Sequence, residues 1–194
     1  MLQRLCVFCG SSLGMQSAYV QAAQELGRVL SQHGIGLVYG GGEVGLMGTL
    51  ADSCLSNGGR VVGVMPRGLV EKEIAHAGLT QLRVVESMHE RKALMADLAD
   101  AFVALPGGYG TWEEFCEVLT WSQLGLHRKA CALLNVNGYY DPLLAMADRA
   151  VEGRLFARCP PGTPACRRQS SSPLGHLNSY TVPVVDKWID RLTR

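Results

Sequence analysis

Apolar runs in this chain are short, and none approaches the roughly 20 residues that a membrane-spanning helix needs. The opening Met1-Leu-Gln-Arg-Leu-Cys6 leads straight into strand-like sequence rather than a secretory leader, so the expectation is a cytoplasmic protein with no membrane partner. Charge is scarce too. Asp, Glu, Lys and Arg make up 18% of the chain and sum to +1, which gives no electrostatic case for nucleic acid or a membrane surface. So little charge leaves much of the surface apolar, and burial of part of it by a second subunit is expected. Neither main glycine loop continues into Gly-Lys-Ser or Gly-Lys-Thr, which removes the usual motif of ATP hydrolysis. The seven cysteines are odd in number and lack paired metal spacing, a pattern that suits a reducing compartment better than a disulfide framework. Cys6 and Cys9 form a Cys-x-x-Cys pair. Inside a strand, however, positions three apart face opposite ways, so both are expected to be buried strand cysteines. No His, Cys and Asp cluster stands at ligand spacing, and no metal is expected.

What the chain does have is alternation. At 194 residues with 47% hydrophobic content it is long enough for one well-filled core. Strand-like Leu5–Phe8, Gly36–Tyr39, Arg60–Met65, Leu82–Val85, Ala101–Leu105 and Ala130–Asn135 alternate with amphipathic Ala18–Leu30, Leu46–Leu55, His89–Leu98 and Thr111–Leu124. That βαβα rhythm predicts an α/β domain over residues 1–156, a doubly wound parallel sheet flanked by helices. Such sheets bind ligands beyond the carboxyl ends of their strands. Three strands end there in glycine-bearing loops: Cys9-Gly10-Ser11-Ser12, Tyr39-Gly40-Gly41-Gly42 and Leu105-Pro106-Gly107-Gly108. Residues 157–179 break the alternation with proline, serine and arginine and read as loop or disorder. Order is expected to resume over 180–194, where Trp188 and Ile189 are candidates for docking.

Pro106-Gly107-Gly108-Tyr109-Gly110-Thr111-Trp112-Glu113-Glu114 joins an anion cradle to two carboxylates at a strand-to-helix junction. Free N–H groups and the positive helix end favour a phosphate there, and glycines let it come close. Glu113 and Glu114 are placed in the first helical turn, where the helix dipole alone would account for acids. Gly40 to Gly45 reads formally as Gly-x-Gly-x-x-Gly, followed by Leu46-Met47-Gly48. A dinucleotide fingerprint also wants an acid at the end of the next strand, but Arg60–Met65 ends in Pro66, so no nicotinamide or flavin cofactor is expected. Met88-His89-Glu90-Arg91-Lys92 opens a helix whose Leu94, Met95 and Leu98 face the sheet. Arg91 offers a forked donor and Lys92 a point charge, either to a ligand or simply to solvent.

Gly-Gly-Gly-x-x-Gly-Leu-Met-Gly at 40–48, Met88-His-x-Arg-Lys92 and Pro106-Gly-Gly-x-Gly-Thr-x-x-Glu114, in this order and spacing, resemble the LONELY GUY family over about residues 4–156. Members are cytokinin riboside 5′-monophosphate phosphoribohydrolases, often mislabelled as lysine decarboxylases. The resemblance implies a Rossmann-like homodimer without a cofactor that cleaves the N-glycosidic bond of an adenine-type nucleoside monophosphate. It places the catalytic arginine on Arg91 and the motif glutamate on Glu114. Phosphate and ribose contacts fall on Gly107, Gly108, Tyr109, Gly110 and Thr111, with Lys92, Glu113 and Thr120 as further binding positions. Glu73 matches an acid near the base, and Ser11, Gly41, Gly42, Gly45 and Met47 complete the candidate substrate contacts. Over Arg158–Gly175 the chain departs from the family pattern, as a divergent insertion or a local change of reading frame would produce. The pattern returns in Leu177-Asn-Ser-Tyr180 and Val185-Asp-Lys-Trp188.

Breaking a C1′–N9 bond builds oxocarbenium character on the ribose, which a nearby carboxylate stabilises while it orients the attacking water. Glu114 suits that role. Arg91 suits either the phosphate or the departing base. Two alternatives stay open: an AMP nucleosidase of broader specificity, and a nucleotide-binding or carrier protein without turnover. Lysine decarboxylation is disfavoured, because none of Lys72, Lys92, Lys129 and Lys187 stands in a recognisable pyridoxal-phosphate context.

Overall fold

A computed structural model describes residues 2–70 and 75–155. The candidate Glu73 and the segments 157–179 and 180–194 lie outside the described residues. Six strands, β1 (Arg4–Phe8), β2 (Gly36–Tyr39), β3 (Val61–Pro66), β4 (Gln81–Val85), β5 (Ala101–Ala104) and β6 (Ala130–Leu133), form one sheet in the order β4-β3-β2-β1-β5-β6. Every pairing is parallel. Between the strands run α1 (Ser17–Gln32), α2 (Gly45–Ser56), the single turn α3 (Arg67–Val70), α4 (Met88–Leu98) and α5 (Tyr109–Gln123). A tight turn at Val136–Gly138 leads into α6 (Asp141–Glu152). The doubly wound parallel sheet read from the sequence is present, strand by strand.

Both faces are covered over β1, β2, β3, β5 and β6, so those strands are largely apolar on both sides rather than alternately polar, whereas the edge strand β4 exposes Gln81, Arg83 and Val84. Leu5, Val7, Leu37, Tyr39, Val61, Ala101 and Val103 pack with Leu26 and Leu30 of α1 and Leu46, Leu50 and Ala51 of α2. Cys6, Phe8, Val38, Val64, Phe102 and Ala104 face the other way, onto Met95 of α4, Phe115 and Val118 of α5, and Tyr140. Cys6 and Cys9 are both buried, on opposite sides of the sheet. Leu94 and Leu98 are partly buried against the same cluster as Met95, as their spacing predicts. Leu124 does not follow Phe115 and Val118 inward. It caps the end of α5 and is half exposed, because the helix has left the sheet by that point.

Strand order reverses direction at β1, which has β2 on one side and β5 on the other. The chain leaves the sheet in opposite senses from these neighbours, and a crevice opens between the loops that come after β1 and β5. At the opposite strand ends, the Asp100 carboxylate accepts hydrogen bonds from the N–H groups of Gln3 and Arg4, each at 2.8 Å, and sets β1 and β5 in register.

Helices α1 and α2 approach so closely that a Cβ at Gly27 would lie 2.7 Å from the Leu50 carbonyl oxygen and 2.9 Å from the Cys54 nitrogen. Helix propensity alone favours alanine there by about 1 kcal/mol. The obstructing atoms are backbone and cannot swing away, so overpacking of about 1–3 kcal/mol outweighs that gain. Gly27→Ala is therefore expected to lower the thermal midpoint, whereas Gly34→Ala, in open space but at φ 67°, is limited only by its backbone strain. A higher midpoint for Gly27→Ala in calorimetry would show that the helices can part without loss.

Candidate active site

Three strand-end loops meet in the crevice. The Gly10 N–H donates to the Pro106 carbonyl at 3.1 Å, and the Leu46 N–H donates to the Gly10 carbonyl at 3.1 Å. Gly45 starts α2 at φ 64°, and a Cβ on it would strike the Ser11 backbone, so both conformation and space require glycine. Ser11 is exposed beside it. A Cβ on Gly107 would lie 2.8 Å from the Gly10 nitrogen and would also strike Thr111, whose side chain is buried. Gly41 and Gly42 form the buried middle loop, and Met47 lies over it, close to both Gly40 and Gly42. The segment after 71–74 braces this loop: the His76 N–H donates to the Gly41 carbonyl at 3.1 Å, and Ala75 bridges to Gly42.

Helix α5 begins at Tyr109, with Gly108 as its N-cap and no side chain capping it. This is two residues earlier than the sequence suggests, and it moves Glu113 and Glu114 beyond the first turn. The helix-dipole account of these acids fails with that shift. Among the described residues, nothing accepts a hydrogen bond from the N–H groups of Gly107 to Thr111. Gly108 and Gly110 face open space. The loop is a donor cradle open to solvent, the arrangement that takes up anions.

Glu114 is buried, and its Oε1 accepts a hydrogen bond from Arg91 Nη1 at 2.8 Å. Arg91 Nε also donates to the Val64 carbonyl at 3.0 Å, and the far side of the guanidinium lies against Gly40, where a Cβ would collide with it. Arg91 is thus locked between β3, the glycine loop after β2, and Glu114. Burial pushes the Glu114 carboxyl above its ordinary range, Arg91 pulls it back in part, and neighbouring Glu113 adds to the rise.

Lys92 makes the parallel contact one residue on. Its ammonium reaches Glu113 Oε1 at 2.5 Å and both oxygens of Glu117, at 3.1 and 3.0 Å. Burial works against the charge, but Glu113 and Glu117 outweigh it and hold the Lys92 pKa above its ordinary range. Only the contacts to Glu113 Oε1 and Glu117 Oε1 are hydrogen bonds, and Glu117 Oε2 is buried with no hydrogen-bond partner among the described residues, so one of the three ammonium donors stays available. Glu117 was not singled out from the sequence. Its position four residues after Glu113 puts both on one face of α5 and could have revealed it.

Tyr109 is exposed at the cradle's mouth, edge-on to Trp112 at 5.3 Å between ring centroids. Thr120 lies further along α5, exposed, with its hydroxyl bonded to the Cys116 carbonyl of its own helix. It joins none of these loops within the described chain. Two tyrosines that no motif marked do reach the cradle: Tyr139 Oη donates to the Gly107 carbonyl, and Tyr140 Oη to the Leu105 carbonyl at 2.5 Å.

A family described as "Possible lysine decarboxylase" matches residues 47–159. The cytokinin riboside 5′-monophosphate phosphoribohydrolase of Rhodococcoides fascians is 56% identical over 163 residues, covering 83% of this chain and 79% of that one. The phosphoribohydrolase LOG of Oryza sativa subsp. japonica is 52% identical over 155 residues, covering 80% of this chain and 64% of that one. Among solved structures, the molybdenum cofactor carrier protein of Chlamydomonas reinhardtii superposes with a TM-score of 0.61 over 77% of this chain and 86% of that one. At 21% identity it shares the fold alone. On motif order, sequence identity and fold together, the chain belongs to the LONELY GUY family.

Proposed function

We propose that the protein hydrolyses the N-glycosidic bond of adenosine 5′-monophosphate or its N6-prenylated forms, giving free base and ribose 5-phosphate. The observation that carries this reading is a buried, arginine-paired carboxylate, Glu114, on the same helix as an open donor cradle. The names of the relatives, phosphoribohydrolases of cytokinin riboside 5′-monophosphate, agree with it.

In this reading the backbone N–H groups of Gly107 to Thr111 hold the 5′-phosphate and fix the ribose. The C1′–N9 bond breaks with its electron pair going to the base, which takes up a proton. Water adds to C1′ and loses its proton to Glu114. The carboxylate also stabilises the positive charge that builds on the ribose before water arrives. Arg91 commits Nε to Val64 and Nη1 to Glu114, which keeps the carboxylate ionised and aimed, and its Nη2 beside Gly40, with no hydrogen bond among the described residues, is left for the phosphate or the departing base. Lys92 holds Glu113 and Glu117 in the same way. Ser11, Gly41, Gly42, Gly45 and Met47 line the crevice on the other side, and Glu73 and Thr120 are kept as further substrate positions. Lysine decarboxylation stays disfavoured on the sequence, and of the two described lysines Lys92 is held by two carboxylates and Lys129 donates to the Ala96 carbonyl at 2.6 Å.

The working unit is proposed to be a homodimer. Among the described residues Met88, at the start of α4, and Leu124 and Leu126, at the end of α5, are each more than two-fifths exposed, apolar side chains of the kind a second copy would cover. Among the described residues no helix is long and apolar enough to cross a membrane. The described cysteines are all free, and a reducing compartment, the cytoplasm, is proposed on that ground.

Chromatography after incubation with AMP and with isopentenyladenosine 5′-monophosphate is expected to show free base, lost by at least about 100-fold in Glu114→Gln. Intact nucleotide after long incubation at high enzyme concentration would mark a binding protein instead. The ratio of the two rates would separate a cytokinin enzyme from a broader AMP nucleosidase.

The raised Glu114 pKa carries a sign. The base must be ionised, so activity is lost as pH falls through a midpoint above the ordinary glutamate value of about 4.3. An acid limb of kcat/KM at or below that value would assign the ionisation elsewhere.

Arg91→Met strands a buried carboxylate, with an expected loss of about 3–5 kcal/mol at neutral pH. Without the arginine the folded-state pKa of Glu114 rises further. The folded chain then binds more protons than the unfolded one below that pKa, and the deficit shrinks as pH falls towards the ordinary glutamate range. Denaturant melts at two pH values check this; a deficit independent of pH would show that Arg91 acts through packing alone. Light scattering is expected to give twice the chain mass of 20.9 kDa, and a monomer would remove the dimer from the reading.

A further inference from the structure

The loop between β5 and α5 has three consecutive carbonyls, and each already has a donor. Leu105 O accepts from Tyr140 Oη, Pro106 O from the Gly10 N–H, and Gly107 O from Tyr139 Oη. Every acceptor of the loop is therefore turned into the protein. A peptide unit is planar and trans, so its C=O and N–H point in opposite directions. Fixing Pro106 O towards Gly10 aims the Gly107 N–H away from Gly10. Fixing Gly107 O towards Tyr139 aims the Gly108 N–H away from Tyr139, to the side where no described residue accepts it.

The two tyrosines differ in the residue that comes next after the carbonyl each one holds. After Leu105 comes Pro106, which has no N–H, so Tyr140 aims no donor at anything. After Gly107 comes Gly108, the N-cap of α5, which does carry one. Tyr140 is buried and belongs to the core under α5. Tyr139 is half-buried and stands in a braced turn. Asn135 Oδ1 accepts from the Tyr140 N–H at 2.7 Å, Asn135 Nδ2 donates to Asp141 at 2.8 Å, and Asn137 Nδ2 donates to Gln16 at 3.1 Å. The Tyr139 ring is held edge-on between Tyr19 and Tyr140, at 5.8 and 4.9 Å between centroids. Its hydroxyl therefore has a fixed position from which to hold the Gly107–Gly108 peptide.

We infer that Tyr139 is a positioning residue for the substrate's 5′-phosphate: by holding the Gly107 carbonyl it turns the Gly108 N–H into the anion cradle, whereas Tyr140 serves folding alone. This rests on the nucleotide reading of the site. A flipped Gly107–Gly108 peptide would put a carbonyl oxygen where the phosphate sits, and glycine on both sides makes that flip easy unless a partner prevents it.

The test compares wild type, Tyr139→Phe and Tyr140→Phe by calorimetric titration with ribose 5-phosphate and by steady-state turnover of AMP. Tyr139→Phe is expected to weaken ribose 5-phosphate binding and raise KM about three- to tenfold, the worth of one backbone hydrogen bond, with kcat held within about twofold. Reversible unfolding would raise the apparent KM by the reciprocal of the folded fraction, so the titrations and assays are run well below the thermal midpoint of each variant, where that factor is close to one. Tyr140→Phe is expected to lower the thermal midpoint and leave KM and ribose 5-phosphate affinity unchanged. Equal affinity in wild type and Tyr139→Phe overturns the inference while the nucleotide reading stands. So does an equal rise of KM in both variants, which would make the effect one of folding. If wild type neither binds ribose 5-phosphate nor turns over AMP, the nucleotide reading falls and takes this inference with it.

Discussion

Arg91 on α4 and Glu114 on α5 meet at 2.8 Å with both side chains almost withdrawn from water, and neither charge would be tolerated there alone. The pair is costly to desolvate, so its presence is poorly explained by stability; replacing both partners with apolar side chains would join the two helices with less desolvation. The arrangement makes sense if an ionised carboxylate is wanted in a place where burial would otherwise protonate it. Arg91 supplies that condition from a position it cannot leave, since β3 holds its Nε and the loop after β2 leaves only enough room for a glycine at position 40. Three elements of the fold thus converge on the charge state of one side chain.

The topology explains why this happens at the end of β5. The sheet reverses its strand order at β1, so the loops after β1 and β5 diverge and leave a crevice, and α5 enters it with its N–H groups leading. Close approach is needed twice, where Gly45 meets Ser11 and where Gly107 meets Gly10 and Thr111. These contacts tie three loops into one floor. The floor is stiff because its carbonyls are occupied, and a stiff floor with unoccupied N–H groups presents donors that need no reorganisation when an anion arrives.

Much of this was legible in the sequence because apolar alternation and glycine loops are local signals. The strands fall within a residue or two of the runs that predict them, and Arg91 and Glu114 stand in motifs whose spacing marks them. The start of α5 was less legible. Gly-Gly-Tyr-Gly reads as loop by propensity, yet Tyr109 and Gly110 are helical, because the first turn of a helix gives up no N–H bonds it would otherwise have made. That two-residue difference decides whether Glu113 and Glu114 are dipole companions or working groups. Tyr139 and Tyr140 were not legible at all. They act on main-chain carbonyls far away in sequence, and a contact with backbone leaves no side-chain pattern to read.

Charge within the site divides the labour. Arg91 and Lys92 face Glu113, Glu114 and Glu117, so two cations are set against three carboxylates and the cluster is net negative. Such a cluster repels a phosphate and attracts a cation. A phosphate gripped mainly by Arg91 Nη1 and Lys92 would sit beside carboxylates held at 2.5 to 3.1 Å and meet their repulsion. The neutral N–H groups of the cradle carry no such penalty, which is why the proposed function gives the phosphate to them. Under that proposal the negative cluster is left to the one species in a glycosidic hydrolysis that becomes positive, the ribose ring as its bond to the base breaks. The proposed reaction would thereby have ground-state phosphate and developing oxocarbenium handled by different parts of one helix, its N-terminus and its second turn, and an interaction that strengthens only as charge develops is the kind that raises the rate rather than the affinity.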